Sequence, residues 1–300
     1  MSHYAGIDIG GTKIKLGIVN DQGEILSQDM KDTPKDYEAF ITLIKEYVKE
    51  HEKDQLCGVG ISTPGIIQED GYLQTSGAVK CFLHRNLQQE LQACLHMPVS
   101  VENDSKCAAA GEQWLGYAKD HANFVCLTLG TAVGGAVYID HKLYRGIGGL
   151  AGEFGIALTG LQEHQYDEQS FSYHAATIAG LCRNYSYAVK QRVLDAKEIY
   201  RRKEAGDMIA KQCIQDFYHA CATLYINIAV FLAPEIILIG GGISNSKEAM
   251  QGMIQEYEKM CEEYHVLSMV HMPKLMACKC KNNAGLLGAV YRLFQTMDHC

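Results

Sequence analysis

Near its start the chain carries two runs in which apolar residues recur at every second position, Tyr4-Ala5-Gly6-Ile7-Asp8-Ile9 and Ile14-Lys15-Leu16-Gly17-Ile18-Val19. A period of two marks β-strands. The tract between them, Gly10-Gly11-Thr12-Lys13, predicts a hairpin turn rather than a strand-to-helix junction. Asp21-Gln22-Gly23 makes the next turn, before a third strand through Ile25 and Leu26. Over residues 36–51 the spacing changes, and Phe40, Leu43, Ile44, Tyr47 and Val48 fall on one helical face. Residues 57–62 predict a buried strand ending in the turn Thr63-Pro64-Gly65. Residues 99–102 predict another, with Asn103-Asp104 opening the helix after it.

The hairpin pattern then returns. Residues 124–129 and 134–139 repeat the strand spacing around Gly130-Thr131, a diverged echo of residues 4–19. Such an echo predicts two similar α/β lobes with both hairpin turns aimed at one ligand. Residues 185–232 predict mainly helix, residues 234–239 a strand running into Gly240-Gly241-Gly242, and residues 284–293 a helix of small residues. The expected division is an N-terminal lobe over 1–119, a C-terminal lobe over 120–283, and a last helix, 284–300, returning to the first lobe.

Composition narrows the function classes. A length of 300 residues suffices for two domains. The 29 glycines against 5 prolines suit tight βα turns better than a loop-rich chain. A net charge of −8 argues against a nucleic-acid surface. It leaves room for a nucleotide, which brings its own magnesium and can rest on backbone amides. No apolar run is long enough to cross a bilayer, and the first residues show no leader pattern. The 12 cysteines therefore read as reduced thiols of a cytoplasmic protein. Cys278-Lys279-Cys280 has no partner pair at metal-ligand spacing and reads as structural.

Three glycine clusters carry the candidate chemistry. In Asp8-Ile9-Gly10-Gly11-Thr12-Lys13, open backbone amides and the Thr12 hydroxyl suit phosphate oxygens, and Asp8 suits a magnesium ion held directly or through water. The tract matches neither a P-loop nor a dinucleotide fingerprint, and alone it is also compatible with an ordinary Gly-rich hairpin. Gly130-Thr131-Ala132-Val133-Gly134 repeats the Gly-Thr turn in the second unit of the echo. Gly240, Gly241 and Gly242 would let an adenine ring lie against bare backbone, although a plain βα turn has the same composition.

The tracts DIGGTK, STPG, ENDSKCAAAGE, LGTAVGGAV, GGLAGEFG, ILIGGGIS and NNAGLLGA follow one another in that order across essentially the whole chain. In this the chain closely resembles the ROK family of sugar kinases and repressors, within the actin-like ATPase superfamily. The resemblance implies an α/β fold of two actin-like (ribonuclease H-like) lobes with a ligand cleft between them, closing over the sugar. It implies ATP and Mg2+ as cofactors, and Asp104 as the catalytic base that accepts the proton of the attacking sugar hydroxyl. Asn103, Gly65 and Glu153 would complete the sugar site. Asp8, Gly10, Gly11, Thr12, Lys13, Gly130, Thr131, Gly134, Gly240, Gly241 and Gly242 would serve ATP. Without the family, Asn103 and Asp104 read equally as a helix N-cap, and Glu153 as a structural cap in a Gly-rich bend. A homodimer is likewise implied, with no nucleic-acid or membrane partner.

The chain departs from the family in two places. Many members follow the GE-x-G tract with a His and a Cys-rich stretch that binds a structural zinc. Here Ile156 stands at the His position, and no cysteine lies between Cys126 and Cys182. No structural zinc is expected, and His164 and His174 are expected at the surface or in the sugar cleft. This resembles the zinc-less branch containing β-glucoside kinases and some N-acetylmannosamine kinases. The second departure is Ala132, where the family usually has glycine; a methyl group would crowd the turn if the backbone needed positive φ. That position favours the alternative of a sugar-binding regulatory protein with little kinase activity. A repressor would need an N-terminal DNA-binding segment, for which the strand starting near Tyr4 leaves no room.

Overall fold

Alternating apolar residues draw the N-terminal runs into a hairpin, β1 (His3–Ile9) and β2 (Lys13–Asn20), paired antiparallel with Asp8 opposite Lys15. The computed structural model describes residues 2–160 and 165–297. β3 (Ile25–Asp32) continues to Asp32, well past the expected strand, because its mostly exposed residues still satisfy β2 through the ladder. In α1 (Tyr37–Glu50) the side chain of Asp36 accepts the Ala39 amide, and Tyr37, Phe40, Ile44 and Tyr47 are buried. β4 (Leu56–Thr63) runs parallel to β1, and α2 (Leu87–Leu95) leads to β5 (Val99–Asn103), parallel to β4. α3 (Asp104–Leu115) follows at once. The five strands form one sheet in the order β3-β2-β1-β4-β5.

The second half repeats this plan. β6 (Phe124–Leu129) and β7 (Val133–Ile139) form an antiparallel hairpin, followed by β8 (Lys142–Tyr144). Helices begin earlier than expected, at α4 (Phe171–Ala175), a π-helical turn over Thr177–Cys182 and α5 (Arg183–Val189). They form because Phe171, Ala175, Leu181 and Cys182 bury against α6 (Ala196–Glu204) and α7 (Met208–Leu232) in one apolar core. β9 (Ile236–Gly240), α8 (Lys247–Glu263) and β10 (Lys274–Ala277) complete a sheet in the order β10-β9-β6-β7-β8. In both sheets a hairpin stands beside two parallel strands, so the echo in the sequence is an echo in topology.

The last helix, α9 (Ala284–Met297), packs on the first sheet and on α3. Its small residues permit backbone contact: a Cβ at Gly288 would lie 1.6 Å from the Cys107 carbonyl oxygen, and one at Gly60 would lie 2.2 Å from that of Ala289. Leu286, Val290 and Leu293 join Tyr4 and Val19 in a buried cluster, each leucine contributing about 1.5–3 kcal/mol.

By its contacts the chain falls into two units, Met1–Asp120 with Leu143–Ala151 and Asn282–Cys300, and His121–Lys142 with Gly152–Lys281. The expected division assigned all of 120–283 to one lobe, and Leu143–Ala151 departs from it. Two buried charges hold that segment in the first unit: Arg145 pairs with Glu102, and Lys106 donates to the Gly149 carbonyl. Among the described residues, no helix is long and apolar enough to cross a membrane.

Candidate active site

In the first unit the expected residues gather along the C-terminal edge of the parallel strands, where open α/β sheets bind ligands. Asp8 stands opposite Ser62, and Thr63 opposite Asn103. The Ser62 hydroxyl donates to Asp8 Oδ1 at 2.7 Å. Burial raises the Asp8 pKa above its ordinary value, against the opposing pull of Ser62 and Lys15. The β1–β2 turn is pinned by Gly10 N to Lys13 O (2.9 Å) and by Thr33, whose hydroxyl and amide donate to the Gly10 and Thr12 carbonyls. Gly11 and Thr12 are exposed, and their amides have no acceptor among the described residues. Lys13 instead forms an exposed ion pair with Asp32 at 2.7 Å.

Asn103 and Asp104 divide the work at the start of α3. Asn103 is the N-cap: its Oδ1 accepts the amides of Ser105 (3.0 Å) and Lys106 (3.1 Å), while Nδ2 donates to the Gly65 carbonyl at 2.9 Å. The cap is thus a real role of Asn103, and the same side chain fixes Gly65. Gly65 has φ +123, and a Cβ there would lie 2.1 Å from the Thr75 carbonyl oxygen, so only glycine fits. Asp104 is exposed to solvent, although its carboxylate has many protein atoms around it. That crowding pushes its pKa up to about 6, outweighing the Ser105 amide, and the nearby charge of Asp8 adds to the rise.

The second unit carries the other glycine turns. Gly130 N donates to Ala132 O at 3.0 Å, and the amides of Ile178 and Ala179 bind the Gly130 and Thr131 carbonyls, so the π-helical turn starts directly on this hairpin. Ala132 is absent from the positive-φ residues, so its methyl group strains nothing and the objection to catalysis raised by that residue falls away. Thr128 stands opposite Gly240, and Gly134 follows within β7. Gly241 has φ +87 and would place a Cβ 2.6 Å from the Leu129 carbonyl oxygen, while a Cβ at Gly242 would meet open space. Glu153 precedes a short 3-10 turn whose Gly155 sits against Val133 O and Ser172 Oγ. His174 is bonded through Nε2 to the Glu168 carbonyl; His164 lies outside the described residues.

Glu102, Lys106 and Arg145 were not singled out from the sequence. Glu102 and Lys106 are almost wholly buried beside Asp104. Charged residues flanking an N-cap at the end of a buried strand were the available signal; nothing local marks Arg145. For metal, the described residues hold no group of three or more His, Cys, Asp or Glu side chains that could bind an ion. Asp8 alone fits a magnesium ion that keeps its waters and nucleotide phosphates as ligands. Gly285 leaves the Asp8 carboxylate its place, since a Cβ there would come within 2.5 Å of it.

A sequence model of the ROK family matches residues 4–296. A β-glucoside kinase of Listeria monocytogenes is 30% identical over 97% of this chain and 97% of its own length. A ROK family protein from Streptococcus pneumoniae, solved with sucrose, superposes with a TM-score of 0.90 at 28% identity, over 99% of this chain and 100% of the other. A ROK family glucokinase from Streptomyces griseus, solved with glucose and AMPPNP, gives 0.79 at 25% identity, over 98% and 100%.

Proposed function

The chain belongs to the ROK family, and on that premise we propose that it is an ATP-dependent sugar kinase in which Asp104 is the base. The observation that carries this reading is geometric: the Asp104 carboxylate stands at the first position of α3, directly after the Asn103 cap that binds Gly65, and its surroundings push its pKa up to about 6. At neutral pH it is ionised and can accept a proton. A hydroxyl acidifies only as its bond to phosphorus forms, so a modest base within hydrogen-bond reach suffices. The sugar oxygen attacks the γ-phosphorus, the bond to the ADP oxygen breaks, and the hydroxyl proton passes to Asp104. Gly65, Asn103 and Glu153 hold the sugar, with Asn103 acting partly through the Gly65 carbonyl that it fixes.

The Gly10-Gly11-Thr12 and Gly130-Thr131 turns receive the phosphates on backbone amides, and Gly240, Gly241 and Gly242 receive the adenine. Magnesium, held by Asp8 through water, would neutralise charge on the phosphates. The acceptor is a β-glucoside or a related hexose such as N-acetylmannosamine. Resemblance to β-glucoside kinases and the Ile156 substitution, which removes the usual histidine, both support that choice.

The test is ADP release with Mg-ATP across glucose, N-acetylmannosamine, fructose, allose, cellobiose and gentiobiose. Turnover on cellobiose or gentiobiose above glucose is the expected result. Tight ATP binding without turnover on any sugar would favour the regulatory alternative.

A further inference from the structure

Glu102 and Lys106 bracket Asn103 and Asp104, and both reach the same segment, Leu143–Ala151. Glu102 is 1% exposed. Its Oε1 accepts the Asn103 amide at 2.9 Å, while Oε2 faces Arg145 Nη2 and, at 3.3 Å, Arg292 Nε of α9. Lys106 is 0% exposed, and its Nζ donates to the Gly149 carbonyl at 2.5 Å. Arg145 Nη1 is buried and makes no hydrogen bond among the described residues. An ion cluster this deep is a costly way to hold a fold together, since apolar residues of the same volume commonly serve as well or better. Its geometry offers something an apolar plug would not, which is directional bonds on both sides of the base.

We propose that Arg145 and Lys106 are positioning residues for Asp104. Arg145 holds Glu102, whose other oxygen fixes the Asn103 amide. Lys106 ties the first turn of α3 to Gly149. The two contacts leave the backbone between residues 102 and 106 little freedom, so the Asp104 carboxylate keeps one direction. Arg145 thus acts on the reaction through Glu102 and Asn103, without touching substrate. The inference deepens the kinase reading and rests on it.

The test uses the full chain with Arg145→Met, Arg145→Lys and Lys106→Met. Arg145→Met should lower kcat about tenfold to a hundredfold, the scale on which a ~1 Å misplacement acts, with KM for ATP nearly unchanged. Arg145→Lys, which keeps a donor toward Glu102, should recover much of that loss. Hydrogen exchange of the peptide covering residues 101–110 supplies a second readout that needs no activity. Exchange there should quicken about tenfold in Arg145→Met and Lys106→Met, with the β9 region unaffected.

Unchanged kcat and unchanged exchange in these variants, beside an active wild type, would overturn the positioning role and leave the kinase reading intact. A wild type inactive on every sugar would count against the kinase reading alone. In that case exchange still decides whether the contacts restrain residues 102–106. Equal loss of kcat and rise of KM for ATP in both Arg145 variants, with exchange quickened throughout the chain, would reduce Arg145 to a support of the fold and overturn the proposal.

Discussion

Asp104 has an ordinary pKa in the unfolded chain and one of about 6 in the folded protein, raised chiefly by burial. Two consequences of opposite sign follow. For catalysis the carboxylate must be ionised, so kcat/KM should fall about tenfold per pH unit below roughly pH 6. A pH–rate profile flat down to pH 4.5 would remove Asp104 as the base. For stability, a carboxyl whose folded pKa lies above its unfolded one is penalised when ionised. The penalty is fully present above about pH 6 and vanishes below the ordinary value near 4. Asp104→Asn should therefore melt higher than wild type at pH 8, with the gap closing as pH approaches 4; a gap of either sign that ignores pH would refute this assignment. Gly65 is the second sensitive residue. Gly65→Ala forces a methyl group toward the Thr75 carbonyl and breaks the geometry Asn103 holds. KM for the sugar should rise about tenfold or more, a loss typical of a displaced polar contact, and steady-state kinetics at saturating ATP would measure it.

At the scale of elements, what was legible in the sequence is what local spacing dictates. Period-two runs around Gly-Thr tracts identify both hairpins, and Asn103-Asp104 after a buried strand marks the start of α3, because each signal lies within a few residues. The segment Leu143–Ala151 was not legible. Its place depends on Arg145 meeting Glu102, 43 positions away, and no local pattern encodes that meeting. The helices before residue 185 were hidden for a related reason: short pieces such as α4 gain stability from burial against α7 rather than from their own propensity. Packing between α3 and α9 makes a sharper claim. A methyl group at Gly288 would overlap the Cys107 carbonyl, so Gly288→Ala should cost about 1–3 kcal/mol or more. Urea denaturation followed by Trp114, which stacks on Tyr291 at 5.5 Å, reports this packing directly. A midpoint equal to wild type would show that α9 shifts freely on α3.

For the whole molecule, two sheets of matching topology carry separate parts of the proposed chemistry. Asp8, Gly65, Asn103 and Asp104 belong to the first unit, and Gly130, Thr131, Gly240, Gly241 and Gly242 to the second. Because the single tryptophan lies in the first unit, its fluorescence follows the unit that carries the proposed base. A sugar bound beside Asp104 at about a hundred times its Kd should stabilise that unit by about 2.7 kcal/mol, raising the fluorescence-detected midpoint. A substrate that leaves the midpoint unmoved would place the sugar elsewhere. The central claim is narrower than any of these, that this carbohydrate kinase uses Asp104 to take the hydroxyl proton. Turnover and sugar affinity of Asp104→Asn, measured beside wild type on the best acceptor, test it most directly. The account predicts a kcat lower by about a hundredfold to ten-thousandfold and a sugar Kd, by calorimetry, within about threefold of wild type. Equal turnover by the two proteins would contradict it.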